Sequence, residues 1–166
     1  GLICFSSPFD FSAVDFLEAL NVPAYKIASP EITDIPLIEY VAKKNKPVII
    51  STGIATLADI ELAVRTCQEV GNYEVILLKC TSSYPTPLNE VDLRTIPNLR
   101  EIFKCPVGLS DHTMGHVVAG AAVALGARVI EKHFILDKNI GGPDASFSLD
   151  PAEFRVLVET IRKTEM

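Results

Sequence analysis

The chain has 166 residues, 48% of them hydrophobic and 22% charged, with a formal net charge of −6. This composition supplies one globular core and excludes a disordered segment, and the negative balance excludes non-specific nucleic-acid binding, which depends on neutralising phosphates. The longest apolar run, Val117 to Ala127, falls short of the roughly 20 residues that span a bilayer, so a membrane protein is not expected. Four cysteines without a CxxC pair, and no visible signal peptide, point to reduced thiols and a cytoplasmic setting.

In chain order, Gly1-Leu2-Ile3-Cys4-Phe5 opens without an initiator methionine and with a strand already under way over Leu2–Ser6, as a fragment begins. A helix over Ala13–Leu20, a strand over Ala24–Ala28 and a helix over Pro36–Lys44 follow. Next come a strand over Pro47–Ser51, a helix over Leu57–Val70 opened by Thr56-Leu57-Ala58-Asp59, and a strand over Val75–Cys80. The stretch after Cys80 contains Pro85, Pro87 and Pro97, which predicts a long loop with at most a short helix. Strands over Val107–Ser110 and Arg128–Phe134 flank a helix over Gly115–Leu125. The last helix, Pro151–Lys163, has Asp150 as its N-cap, proline at its first position and Glu153 at its third.

Most of these strands read as near-continuous apolar runs, the pattern of parallel strands buried on both faces. Strands alternating with helices give an α/β fold, either an open doubly wound sheet or a closed (β/α)8 TIM barrel. Neither GxGxxG nor a GKS/GKT loop is present. Polar residues gather instead at every strand's carboxyl end, in "SSPFD", "KIASPE", "STG", "KCTSSY", "LSDHT" and "EKHF". A barrel builds its active site on that face from all its strands. The expectation is therefore a partial TIM-barrel catalytic domain over residues 1–166, with about six of eight strand–helix repeats and the other two preceding Gly1.

His112 and His116 stand at helical spacing, but no third ligand or HExxH form accompanies them. His116 enters a helix and reads as structural or surface-facing. His112 and His133 lie at the ends of successive strands about 4.8 Å apart, a better pair for one divalent ion. Alternation puts Glu131 on the same face as His133, where a carboxylate is costly unless it is used. The alternative for Glu131 is an ion pair with a buried lysine. Lys26 and Lys79 lie within apolar strands, as a Schiff-base nucleophile or an anion-holding residue would. Ser29, Ser51-Thr52-Gly53 and Thr81-Ser82-Ser83 suit phosphate oxygens collectively, although any one of them alone reads as a helix cap. Asp144, after Gly141-Gly142-Pro143, fits either catalysis or an Asp turn.

Taken together, "FSSPFD", "YKIASPE", "IISTGIATLADI", "LLKCTSSYPTP", "GLSDHTMG", "IEKHFILDK" and "GGPDASFSLDP" resemble the sialic acid synthase family of nonulosonic acid synthases across the whole chain. The resemblance implies a TIM barrel followed by an antifreeze-like domain, neither end of which is complete here. It implies condensation of phosphoenolpyruvate with an open-chain amino sugar, giving a nine-carbon 2-keto acid and phosphate. It assigns manganese or magnesium to His112 and His133, and phosphoenolpyruvate to Lys26, Ser29, Ser51 and Ser110. Ser7 stands in place of a threonine and Ser82 in place of an asparagine at further phosphoenolpyruvate positions. Phe9, Glu31, Tyr84 and Asp144 match sugar-side positions, with Asp144 and Glu131 as the catalytic candidates. "KIASPE" and "GGPDASFSL", with Phe147, resemble the pseudaminic acid synthases, whose sugar is a 2,4-diacetamido-2,4,6-trideoxyhexose of the altrose type. A sialic acid or legionaminic acid synthase is the near alternative. A Schiff-base aldolase, or a non-catalytic fragment, is the alternative of another class. The resemblance also implies a homodimer in the full-length protein, and little activity for residues 1–166 alone.

Overall fold

Tyr25, Lys26 and Ile27 are all buried, as are Val48 to Ser51, and runs with both faces covered form parallel strands. The computed structural model describes all of residues 1–166, which divide into two compact units, Gly1–Leu78 and Lys79–Met166.

The first unit contains helix α1 (Phe11–Ala19), strand β1 (Tyr25–Ile27), a 3-10 turn (Ser29–Thr33), helix α2 (Ile35–Ala42), strand β2 (Val48–Ser51) and helix α3 (Leu57–Glu69). Strand β3 (Val75–Cys80) contributes its first four residues. β1 pairs in parallel with β2, and β2 with β3, so spatial order follows chain order. That single direction of winding is the barrel's, whereas a doubly wound sheet reverses at a switch point. The core joins Ile27, Ile38, Val41, Ile50, Val64 and Leu77, each at 5% exposure or less. Thr56 and Asp59 close a capping box on α3, as the sequence predicts.

The second unit contains helix α4 (Thr95–Phe103), strand β4 (Val107–Asp111), helix α5 (Val117–Ala124), strand β5 (Ile130–Lys132) and helix α6 (Pro151–Thr164). β4 and β5 pair in parallel. Ala119, Leu149 and Leu157 form a buried cluster, with Ile130, Phe154 and Ile161 packed against it. Gly120 lets α5 approach α6 closely, since a Cβ there would lie 3.0 Å from the Thr160 methyl. No helix is long and apolar enough to cross a membrane.

Two expectations fail. Leu2–Ser6 is not a strand: Lys26 N donates to Ser6 O at 3.3 Å, but no ladder follows and Leu2 and Ile3 are exposed. The proline-rich stretch after Cys80 holds a nine-residue helix, α4. Pro97 is its third residue, in the first turn, where a backbone N–H has no intrahelical partner to lose.

Asp150 accepts from Ala152 N and Glu153 N, both at 2.9 Å, and Glu153 accepts from Asp150 N. Asp150→Ala should therefore destabilise the protein by about 1 kcal/mol, read as a lower urea midpoint with an unchanged slope.

Candidate active site

In the first unit the strand ends bring together a cation and hydroxyls. Lys26 Nζ donates to Ser51 Oγ at 2.7 Å and to Ile27 O at 3.2 Å, at 7% exposure for the residue. Gly53 N donates to Ser29 Oγ at 2.9 Å. Thr52 N and Oγ1 both donate to Leu78 O, fixing the turn after β2. Lys26 and Ser51 are therefore joined directly, and Ser29 is tied to the turn that follows Ser51. Glu31 lies in the 3-10 turn with its Oε2 buried and without a hydrogen-bond partner. Ser7 is half-buried and Phe9 is 65% exposed.

In the second unit the register of β4 and β5 builds a group of its own. Ser110 stands opposite Glu131 and Asp111 opposite Lys132. One more residue in that register sets His112 against His133, and their ring centroids are 5.3 Å apart, edge to face. The period of two puts both histidines on the face of Ser110 and Glu131. Ser110 Oγ donates to Glu131 Oε1 at 2.6 Å. Separately, Lys132 pairs with Asp111.

His112 is 6% exposed, with Nδ1 lying 3.1 Å from Thr81 O and 3.9 Å from Cys80 Sγ. A carbonyl only accepts, so Nδ1 carries the proton and Nε2 of the neutral ring keeps its lone pair. Thr86 N donates to His112 O at 3.0 Å, so the loop after β3 grips both the ring and the backbone of this residue.

His133 is held from the other side. Leu149 N donates to His133 O at 2.9 Å, and the Phe147 ring meets its imidazole edge-on at 5.0 Å. Asp144 Oδ2 stands 3.5 Å from His133 Nδ1. Tyr84 lies 4.2 Å from the His112 ring and 6.2 Å from the His133 ring. Burial pushes the Tyr84 phenol up. Burial and, after it, the neighbouring His112 hold His133 below its ordinary value of 6.5, so the His133 ring favours the neutral, ligating form.

No three His, Cys, Asp or Glu side chains converge as a ready-made metal cage. Two edge-to-face imidazoles, one with its free nitrogen set by a carbonyl, still fit a divalent ion that takes its remaining ligands as oxygens. His116 instead precedes α5 as its N-cap residue and makes no side-chain cap bond. Ser82 and Tyr84 are exposed on the loop after β3. Sequence reasoning missed the Thr81 carbonyl and the Asp111–Lys132 pair. The signal for the second was present, since each charged residue immediately precedes a histidine.

A family profile described as the NeuB family matches residues 1–166. The chain belongs to the NeuB family. It is 47% identical over 160 residues to pseudaminic acid synthase of Helicobacter pylori, covering 96% of this chain and 47% of that protein. It is 48% identical over 162 residues to N,N'-diacetyllegionaminic acid synthase of Campylobacter jejuni, covering 96% and 48%. The crystal structure of N-acetylneuraminic acid (sialic acid) synthetase from Leptospira borgpetersenii, in complex with citrate, matches at a TM-score of 0.92 and 36% identity, over 96% of this chain and 55% of that one. The chain spans about half the length of the curated NeuB-family relatives it matches, and its fold is a piece of the TIM barrel that the sequence suggested.

Because the folded-state value of His133 is lowered, the unfolded chain binds that proton first as pH falls. The stability this residue contributes is complete above pH 6.5 and is lost as pH drops through its folded value. An NMR titration of the metal-free protein should place the His133 midpoint below 6.5, and a midpoint equal to or above that value would contradict the burial argument.

Proposed function

We propose that the full-length protein condenses phosphoenolpyruvate with the open-chain form of a 2,4-diacetamido-2,4,6-trideoxyhexose, releasing phosphate and a nine-carbon 2-keto sugar acid of the pseudaminic type. The observation that carries the reading is the facing of His112 and His133 beside the Ser110–Glu131 pair. A manganese or magnesium ion held by these two rings would supply Lewis-acid polarisation of the sugar aldehyde. Carbon 3 of phosphoenolpyruvate attacks the aldehyde carbon, water adds at carbon 2, and phosphate leaves with cleavage of its bond to that carbon.

The chain's own residues divide this work. The Lys26 ammonium, with Ser51 and Ser29, offers positive charge and hydroxyls to an anion; Ser7, Ser82 and Ser110 extend that role. Glu131, already accepting from Ser110, is the proton acceptor and donor, and Asp144 orients the His133 ring and meets the sugar. Tyr84, Phe9 and Glu31 serve the sugar side, where the orphaned Glu31 oxygen suits a hydroxyl or amide donor. The deoxy-sugar preference is supported by the resemblance of "KIASPE" and "GGPDASFSL" to the pseudaminic acid synthases, the second with Phe147 and without the His-Lys of the sialic acid synthases. Phe147 is 2% exposed and backs the His133 ring, so any effect on sugar choice passes through that ring. A sialic or legionaminic acid precursor is the competing substrate.

One observation favours a second chemistry. Burial lowers the pKa of Lys79, the condition for an amine nucleophile. Borohydride trapping with pyruvate decides it, since a condensing synthase leaves no adduct.

Offered phosphoenolpyruvate, a divalent ion and each candidate sugar, the full-length protein should release phosphate only when all three components are present. Mass spectrometry of the product then identifies the sugar. Activity surviving thorough chelation would remove the metal from the scheme. His112→Ala and His133→Ala should each bring manganese binding below detection by calorimetry, whereas His116→Ala should bind as wild type.

A further inference from the structure

On the face of β4 and β5 opposite the two imidazoles lies a buried charge pair. Lys132 Nζ stands 2.8 Å from Asp111 Oδ2, and both side chains are 1% exposed. Asp111 Oδ1 accepts from Thr113 N at 2.9 Å and Thr113 Oγ1 at 2.7 Å, and Lys132 Nζ also donates to Thr113 O. Both carboxylate oxygens are therefore used, and the ammonium bridges β5 to the turn on either side of His112. Charges taken this far from water persist only with such saturation.

The placement gives the pair a consequence for the other face. Asp111 directly precedes His112 and Lys132 directly precedes His133, and the two stand in register across the strands. A one-residue slip would carry a histidine to the wrong face and leave the ammonium without its carboxylate. We infer that Asp111 and Lys132 are positioning residues, clamping the β4–β5 register so that the His112 and His133 rings converge on one ion; the inference rests on the metal reading proposed above. Neither side chain reaches the imidazole face, so neither is a catalytic residue.

The test uses the full-length protein and manganese alone, titrated by electron paramagnetic resonance of the free ion. The double variant Asp111→Asn/Lys132→Met removes both charges together and leaves none orphaned. It should keep the wild-type circular dichroism spectrum while its manganese dissociation constant rises about tenfold or more. In turnover assays its kcat should recover at saturating manganese, with KM for phosphoenolpyruvate unchanged, which a general loss of packing would not produce. A folded double variant with wild-type manganese affinity overturns the inference. If it does not fold, Lys132→Arg carries the test: a weakened affinity supports the clamp and an unchanged one overturns it. His112→Ala separates the two levels. Should that variant bind manganese like wild type, the metal reading itself fails. Should it lose binding while the double variant does not, only the clamp fails.

Discussion

Parallel register between β4 and β5 is the constraint on which the candidate site depends. Ser110 with Glu131, Asp111 with Lys132 and His112 with His133 are three successive rungs of one pairing. The rungs alternate in face and in chemistry: a hydrogen-bonded carboxylate, a buried ion pair, and two facing imidazoles. The middle rung is the expensive one. Breaking a buried pair by removing one partner costs about 3–5 kcal/mol, so the register that holds the histidines is also the register the chain cannot easily leave.

Loops complete what the strands begin. The segment after β3 reaches His112 through Thr81 and Thr86, and the segment before α6 reaches His133 through Asp144, Phe147 and Leu149. Leu149 belongs to the cluster that packs α5 against α6. The His133 carbonyl is thus tied by one hydrogen bond to the apolar core of its unit. In the first unit the same economy holds, since Thr52 anchors the turn that presents Ser51 to Lys26.

Much of this was legible in the residues. Apolar runs such as Val48–Ser51 and Val75–Cys80 announce buried parallel strands, and Asp150-Pro151 with Glu153 marks a helix start to the residue. The His112–His133 pairing followed from their places at the ends of successive strands, against the louder helical spacing of His112 and His116. Leu2–Ser6 misled because apolar character alone makes no strand without a partner to complete the ladder. α4 was hidden because proline reads as a breaker unless its place within the first turn is known. The Asp111–Lys132 pair was missed for a different reason: charged residues beside loops read as solvated, although their places just before the two histidines put them in one register.

Apart from ring contacts, the Asp144 carboxylate and the Cys80 sulfur, the anchors of the two imidazoles are main-chain atoms: the Thr81 carbonyl on the His112 ring, the Thr86 amide on the His112 carbonyl, and the Leu149 amide on the His133 carbonyl. A main-chain anchor is indifferent to the side chain it carries. The loops around the pair are therefore free to change their outward residues, and with them the shape and polarity of the surroundings, while the rings stay where they are. Such a scaffold permits the rim to diverge without moving the pair it surrounds.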